Sequence, residues 1–493
     1  MRLLRALYGL RISPRTWYET YKDFLVSSGW EICPKEPGLF RRSGYTLSIY
    51  VDDTLLTGPC ESELKKIRTE ILNKFPGKII KPDLEKDENG DTIEIRDILG
   101  VTHRYIPKRR WMKLSMEGSI KKILTKFKME NAKARSTPCV NSSLDEGRDS
   151  TFPLRELVGA LQYVQSMGRP DVSFAVQRLS RCVTNVKEST VTAGKRVLAY
   201  LKGTLDWGIE YSPESEKAFY DVYKEVASRG GHDDVPHSTA FADADFAGCT
   251  TSLKSTSGSI LYYRGTPIAW KARRQTIRAL STCESEYVAI FDTIQLSRQQ
   301  GWLEWFEEGR DLPLIFSDSQ SALALTKNSI ITKKSKHMSI RYHEVKDRCK
   351  DLCFVSSGLN RADPLTKPLH GGKYLALFKN ELSFDSEKAD SSEFSDSEGS
   401  DINLIGRVGG INSISVDQSE RVDVHKSDLL TSKFESENTK NRNGSHIDPE
   451  LHNGMDIDHS LVFDGSDDDD RVPISPREYE FQALSRAFYL TWS

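Results

Sequence analysis

Four acidic residues, far apart along the chain, occur at positions that suit a metal-dependent site. Asp243 ends a predicted strand in FADADFAG, Glu286 lies early in a predicted helix, Asp318 ends a later strand in IFSDSQSAL, and Asp363 opens a late helix in NRADPLTKPL. Each acid alone is also typical of a strand end or a helix cap. Together they could meet at one edge of a sheet, where cations would have to offset their mutual repulsion. Such oxygen-rich clusters suit Mg²⁺, and a pair of ions can drive phosphodiester cleavage.

A second acidic pair lies near the start of the chain, in LSIYVDDTLLTG. Apolar residues alternate before Asp52 and Asp53 and resume after them, which predicts a hairpin with the two acids at its tip. A hairpin tip with two acids can also be an ordinary turn. The pair is therefore a candidate metal site whose interpretation depends on its context.

The elements that must position these acids follow from apolar spacing. The pattern over residues 1–75 predicts a helix and a hairpin. Residues 60–135 are predicted to contain a helix over 61–75, a polar loop over 83–91 and a basic segment. The pattern over residues 152–205 predicts a helical subdomain. Residues 212–237 predict a linker. Beyond it, three strands, a helix opened by a capping box at Ser281, a strand and a helix predict a compact α/β domain. Residues 371–493, rich in Ser, Asp and Glu, predict a disordered acidic tail.

Composition separates a basic body from this acidic tail. The net charge of -2 is the sum of two opposite parts. Residues 1–382 contain 59 Lys and Arg and 47 Asp and Glu, whereas residues 383–493 contain 10 Lys and Arg and 24 Asp and Glu. A basic body suits a polyanionic partner. No stretch approaches the roughly 20 apolar residues of a membrane span, and we expect no secretion signal and reduced cysteines in an intracellular protein.

Basic residues near the acids are candidates for binding nucleic acid: Lys336, His337, Arg341 and His343 in KHMSIRYHEVKD, and Arg273 and Arg274. Contacts to phosphate are one interpretation, and a solvated basic face is the other. A histidine could also assist proton transfer, although the pattern favours a structural or solvated histidine. Zinc binding by His343, Cys349 and Cys353 is disfavoured, because a second ligand pair is missing.

The acids lie in a series of motifs that resembles the ribonuclease H domain of copia-type retrotransposons, over residues 238–370. The matching stretches begin with FADADFAG and continue through STCESEYVAI, SDSQSALAL, KHMSIRYHEVKD and RADPLTKPL. The resemblance implies that Asp243, Glu286, Asp318 and Asp363 hold the metal ions. Asp245 and Glu284 are close enough in register to be confused with two of them. Cys249 stands where the family often has an acid.

Residues 1–211 resemble the reverse transcriptase of the same elements, through YVDD, ALYGL, ILGVTHRYI and GRPDVSFAVQRLSR. The resemblance implies that Asp52 and Asp53 are two of three polymerase acids and metal ligands. The third acid and the fingers precede ALYGL in the family. We therefore expect no independent polymerase activity from this chain, since nucleotidyl transfer needs cations held by several carboxylates.

The resemblance implies a mixed α/β fold: a truncated palm, thumb and connection region, then a ribonuclease H-like mixed five-stranded sheet with helices, and the disordered tail. It implies an endonuclease for RNA–DNA hybrids that uses Mg²⁺ or Mn²⁺, with two ions at the site. Other retrotransposon proteins are expected partners, in cytoplasmic virus-like particles with a nuclear stage. Two alternatives remain: a non-catalytic nucleic-acid-binding relic, and part of a complete reverse transcriptase whose gene model is clipped.

Overall fold

The computed structural model describes residues 10–249, 251–306, 313–327, 339–369, 371–378 and 382–383. All of them belong to one compact unit, which comprises residues 1–396 and 470–493. The second unit, residues 397–469, lies outside the described residues. The described part is a mixed α/β structure, as the resemblance implies, and its strands form three sheets.

The first sheet is antiparallel and carries the predicted hairpin. Its order is β1-β2-β3-β4, and helices α1 and α2 flank it in sequence. Pro14 occupies the first turn of α1, which explains why the apolar pattern breaks there. The bounds are α1 Ser13–Ser27, β1 Glu31–Ile32, β2 Leu39–Arg42, β3 Tyr45–Tyr50, β4 Asp53–Thr57 and α2 Glu61–Lys74. The predictions of a helix, a hairpin and a second helix are confirmed.

The second sheet has six strands in the order β15-β9-β8-β7-β6-β5, where β15 is Leu382–Ser383. The polar loop predicted over 83–91 is wrong at its start, because Asp83–Lys86 pairs with the next strand. All four residues of that strand are exposed, so no alternation of apolar residues marks it. The elements are β5 Asp83–Lys86, β6 Thr92–Ile98, β7 Val101–Ile106, β8 Trp111–Ser115, α3 Glu117–Lys126, α4 Leu154–Met167, α5 Ser173–Ser180, α6 Glu188–Gly203 and β9 Gly208–Tyr211.

Helices α4, α5 and α6 confirm the predicted helical subdomain, but they do not form a separate bundle. Their apolar faces share one core with the second sheet, in which Leu157, Leu161 and Leu201 join Leu114 and Ile209. The sheet therefore supplies the surface on which the helices bury their apolar faces.

The predicted linker is largely a helix, α7 (Pro213–Arg229), so the prediction for 212–237 is wrong. Ser212 accepts a 3.0 Å hydrogen bond from the Ser215 backbone N–H and caps the helix. Phe219 and Tyr223 of α7 pack in one core with Phe241 and Phe316. The helix is thus part of the following domain, which begins before residue 238.

The third sheet is the predicted five-stranded mixed sheet, in the order β12-β11-β10-β13-β14. Strands β10, β11 and β12 are antiparallel, whereas β13 and β14 run parallel to β10. The elements are β10 Ser238–Asp245, β11 Thr256–Tyr263, β12 Thr266–Arg274, α8 Thr282–Gln299, α9 Leu303–Phe306, β13 Leu314–Ser317, α10 Gln320–Lys327, α11 Ser339–Lys346 and β14 Leu352–Phe354.

The chain then returns to the second sheet. Asp363–Leu365 is one 3₁₀ turn, not the longer helix predicted to open there. Helix α12 (Gly371–Phe378) follows, and β15 (Leu382–Ser383) pairs with β9. The disorder predicted from residue 371 is therefore wrong for 371–378 and 382–383, where Tyr374 and Leu382 are buried against the helical core. Residues 384–493 of the predicted tail lie outside the described residues. Among the described helices, none has the length and apolarity needed to cross a bilayer.

Candidate metal centre

Asp243 lies near the end of β10, the central strand of the five-stranded sheet. The strand is buried almost throughout, and Asp243 itself is 2% exposed. Its partner across the β10–β11 ladder is Gly258. A buried carboxylate in the middle of a sheet is costly unless partners or cations surround it. Asp243 is therefore placed for a function other than packing.

Glu286 reaches the same place from helix α8. Ser281 caps this helix by accepting a 3.1 Å hydrogen bond from the Glu284 N–H, and the Glu284 carboxylate accepts a 2.7 Å bond from the Leu280 N–H. Glu284 is thus a capping residue, which resolves the register between the two glutamates. Glu286, two residues further, is the one that lies near Asp243.

Asp318 follows β13, which is parallel to β10 and adjacent to it. The Asn360 side-chain amide donates to the Ala242 carbonyl oxygen at 3.0 Å and to Asp318 Oδ1 at 3.2 Å. Asn360 therefore ties Asp318 to the strand that carries Asp243. Side chains held this way are pre-organised for coordination.

The structure brings three of the four predicted acids together. One carboxylate oxygen from each of Asp243, Glu286 and Asp318 lies within 4.8 Å of the other two. We call these residues the carboxylate trio. Among the described residues, no other set of three acidic, histidine or cysteine side chains meets this spacing.

Burial and mutual repulsion favour the protonated forms of Glu286 and Asp243 when no cation is bound. Burial, and then the charges of Asp243 and Asp318, raise the pKa of Glu286 to about 9. Burial raises the pKa of Asp243 to about 6, against the opposing effects of the Lys367 ammonium and a hydrogen bond from Thr366. A divalent cation would reverse this preference, because it favours the ionised carboxylates.

The donor set fits a hard divalent cation. Glu286 Oε2 is buried and has no hydrogen-bond partner among the described residues. Buried polar atoms normally have a partner, and a cation would supply one for this oxygen. Carboxylate oxygens are the ligands that Mg²⁺ and Mn²⁺ prefer. The trio could therefore hold such an ion.

Asp363, the fourth predicted ligand, lies beside the trio but is not part of it. It is 1% exposed, and its Oδ1 lies 2.5 Å from the Lys367 ammonium nitrogen. Its negative charge contributes to the raised pKa of Asp243. The structure thus places Asp363 in the same site with a lysine as its partner.

Asp245, the alternative to Asp243, is half-buried, and burial raises its pKa. Its carboxylate packs against Gly248, where an added Cβ would lie 1.6 Å from Asp245 Oδ2. It is not one of the three residues of the trio. Asp243 is therefore the strand residue of the metal site.

Sequence reasoning missed three side chains and a glycine that hold the acids in place: Asn360, Thr366, Lys367 and Gly258. Thr366 Oγ1 donates to Asp243 Oδ2 at 2.5 Å. A Cβ on Gly258 would lie 2.7 Å from Thr366 Cγ2 and 2.8 Å from the Ala362 carbonyl oxygen. Only glycine therefore lets the 3₁₀ turn approach Asp243. Asn360, Thr366 and Lys367 lie in LNRADPLTK, a stretch in which the sequence pattern points only to the aspartate.

The predicted basic residues are only partly described. Arg273 and Arg274 are half-buried at the end of β12, and His343 is exposed on α11. Lys336 and His337 lie outside the described residues, as does the side chain of Arg341. Cys353 is buried, and its thiol donates to the Val226 carbonyl oxygen at 3.5 Å.

Asp52 and Asp53 lie where the sequence predicts, at the β3–β4 turn. Both are exposed, and Val51 before them adopts a left-handed backbone conformation with φ of 55°. The pKa of Asp53 is raised by partial burial and by the neighbouring Asp52. The pair is separate from the trio, and its role as a polymerase site stays a prediction.

Residues 1–141 match the family described as "Reverse transcriptase (RNA-dependent DNA polymerase)". The chain is 29% identical over 399 residues to the Retrovirus-related Pol polyprotein from transposon TNT 1-94 of Nicotiana tabacum, with 76% of this chain and 27% of that protein covered. It is 30% identical over 386 residues to the Pol polyprotein from transposon RE1 of Arabidopsis thaliana, covering 75% and 24%. The chain thus spans about a quarter of the length of these relatives.

Among solved structures, a foamy viral protease-reverse transcriptase in complex with dsDNA matches at 14% identity. The match covers 72% of this chain and 60% of that chain, with a TM-score of 0.39. The same protein described as dRH, also with dsDNA, matches with a TM-score of 0.38.

Proposed function

This chain belongs to the Pol polyproteins of copia-type retrotransposons, and we propose that its five-stranded domain is a ribonuclease H that cuts the RNA strand of RNA–DNA hybrids. The observation that carries the proposal is the carboxylate trio, whose oxygens lie within 4.8 Å of one another. Three anions at this spacing, one with an unpartnered buried oxygen, favour a divalent cation, Mg²⁺ or Mn²⁺.

When bound, the cation supplies a lowered water pKa and a positive charge for the leaving oxygen of a phosphodiester. The chain's own residues fix where this can happen. Thr366 holds Asp243, Asn360 holds Asp318, and the capped start of α8 holds Glu286. Because metal ligands must be ionised, Glu286, whose pKa is raised to about 9, would have to lose its proton before it could hold the cation.

The strand register supports a nucleic-acid contact at the same edge. Asp243 pairs with Gly258, and Gly258 pairs with Ala272, so Arg273 and Arg274 follow immediately after the row that contains the acid. Guanidinium groups in that position suit phosphates of a bound strand. Contacts to 2′-hydroxyls would then distinguish the RNA strand from DNA.

We further propose that Asp52 and Asp53 are polymerase acids of the reverse-transcriptase part. We also propose that the protein occurs in cytoplasmic particles, with a nuclear stage.

The test uses the full chain with a hybrid whose RNA strand is labelled. With Mg²⁺, we expect RNA fragments from the hybrid, no cleavage of duplex DNA, and no products in EDTA. The rival function, a non-catalytic relic, predicts salt-sensitive binding to the same hybrid without products. Folded protein that binds the hybrid and leaves it intact would favour the relic and contradict the nuclease.

A further inference from the structure

Lys367 brings a positive charge into the acidic site from the 3₁₀ turn side. Its ammonium nitrogen lies 2.5 Å from Asp363 Oδ1. The side chain is 39% exposed, whereas that of Asp363 is 1% exposed. The amine therefore reaches from the site's mouth to a carboxylate that has almost no access to water.

The same ammonium interacts with two further acids. Its positive charge also acts on the carboxylates of Asp243 and Asp245. Asp243 thus borders two places where a positive charge can lie. One is the centre of the carboxylate trio with Glu286 and Asp318, and the other is the position of the Lys367 ammonium, beside Asp363 and Asp245.

The backbone of Lys367 is anchored beside the acids. Lys367 follows Thr366, which is tied to Asp243, and the turn before it packs against Gly258. From this anchor the Lys367 side chain extends to Asp363. Its positive charge is therefore already in the site before substrate arrives, so little reorganisation is needed.

We propose that the Lys367 ammonium takes the place of a second divalent cation, so that the trio binds one metal ion and Asp363 is a partner of the lysine. This inference rests on the proposed function, and it revises the expected two ions to one ion plus a fixed ammonium. A lysine is a compact point charge with three donors on a flexible stem. Lys367 can therefore also face a substrate phosphate while its ion pair keeps Asp363 compensated.

The alternative is that Lys367 swings out and Asp363 becomes a ligand of a second ion. The two arrangements differ in the number of cations held without substrate, so the test counts bound Mn²⁺ on the full chain by equilibrium dialysis and electron paramagnetic resonance. Asp243→Asn defines the background from other acidic groups. Lys367→Met removes the charge and keeps most of the stem, Lys367→Arg keeps the charge, and Lys224→Met, on the exposed face of α7, is the matched control.

We expect about one Mn²⁺ per wild-type chain above background, about two in Lys367→Met, and about one in Lys367→Arg and the control. The double variant Lys367→Met with Asp363→Asn should return to about one, because the second site loses its ligand. Two ions on the wild type, or one on a folded Lys367→Met, would overturn the inference and leave the nuclease intact. No ion on the wild type would overturn the trio as a metal site, and with it the proposed function. If Lys367→Met does not fold, the wild-type count decides by itself.

Discussion

Thr366 Oγ1 donates a 2.5 Å hydrogen bond to Asp243 Oδ2, although 123 residues separate the two in sequence. The bond joins the last motif of the domain to its first strand. It also favours the ionised form of Asp243, since a hydrogen bond to a carboxylate lowers its pKa. One side chain thus links the closure of the fold to the electrostatics of the site.

Replacing Thr366 with valine keeps the shape and removes the hydroxyl. The pKa of Asp243 should rise, because the hydrogen bond that favours its ionised form is lost while its burial stays the same. A hydrogen bond to a charged group is worth roughly 1.5–3 kcal/mol, so we expect the acid limb of the cleavage–pH profile to move up by about one unit. The measurement is cleavage rate against pH at low Mg²⁺.

The matched control is Thr326→Val. Thr326 is also buried, but its hydroxyl donates to the Leu323 carbonyl oxygen of its own helix and not to an acid. Its profile should keep the wild-type acid limb. An unchanged limb in folded Thr366→Val would show that the hydroxyl does not tune Asp243.

Gly258→Ala should disturb the site through close contact. The added methyl group would meet Thr366 and the Ala362 carbonyl oxygen at less than 3.0 Å. Overpacking of this kind typically costs about 1–3 kcal/mol, and we expect the loss in the free energy of unfolding to come with slower cleavage. Gly159→Ala, on an exposed helix face with open space around it, should stabilise the protein by about 0.5–1 kcal/mol. Equal effects of the two variants would contradict the close approach.

The metal-free protein should lose stability as pH rises. Glu286 and Asp243 have folded-state pKa values of about 9 and about 6, above their ordinary values. Between the ordinary and the raised value, the folded state holds a proton that the unfolded state has released, so unfolding becomes easier with increasing pH. The window therefore runs from about 4 to about 9.

Glu286→Gln removes the larger of these two effects. In EDTA, the free energy of unfolding of this variant should fall less than that of the wild type between pH 6 and pH 9. The two falls should differ by roughly 1–3 kcal/mol at pH 9. Thermal unfolding at each pH measures this difference. Mg²⁺ should stabilise the wild type most at high pH. Glu214→Gln, exposed in the first turn of α7, serves as the control. Parallel wild-type and Glu286→Gln curves would contradict the raised pKa.

A fully buried ion pair lies between α4 and α5, beside Tyr200 of α6 and Tyr374 of α12. Arg169 donates to Asp171 at 2.7 Å, and both side chains are 0% exposed. Tyr200 donates to the same carboxylate at 2.7 Å, and the Tyr374 hydroxyl donates to the Asp171 carbonyl oxygen. Asp171→Asn would leave the guanidinium charge uncompensated, which costs about 3–5 kcal/mol in buried pairs.

Denaturant unfolding of Asp171→Asn measures this cost. Asp221→Asn, on the exposed face of α7, should change the free energy of unfolding by less than about 0.5 kcal/mol. A small effect at both positions would mean that the buried Arg169–Asp171 pair contributes little to the free energy of unfolding.

The sequence predicts the elements that have local patterns. Asp243, Glu286 and Asp318 each follow a clear strand or helix signal, and the motif order relates them to one site. Strands β5 to β8 depend on pairing between segments, which local spacing does not encode. Helix α7 was missed because Gly230, Gly231 and several acids suggest a loop, although Phe219, Tyr223 and Ala227 recur every four residues.

The remaining differences arise where distant segments meet. Lys367 is four residues after Asp363, a spacing from which an ion pair could have been predicted. The sequence does not show that Asp363 is buried, and this burial is what strengthens the ion pair. Gly258 has a meaning only after the 3₁₀ turn is placed against β11. Positions of this kind are set by tertiary contacts and have no local signature.

The rate of RNA-strand cleavage by Asp318→Asn, relative to the wild-type full chain, tests the central claim most directly. Asp347→Asn, an exposed acid after α11, controls for removal of a charge. Loss of a metal ligand should slow cleavage at least about 100-fold at saturating Mg²⁺ while the protein stays folded and binds the hybrid. Wild-type cleavage rates in Asp318→Asn would show that the carboxylate trio is not the catalytic metal centre.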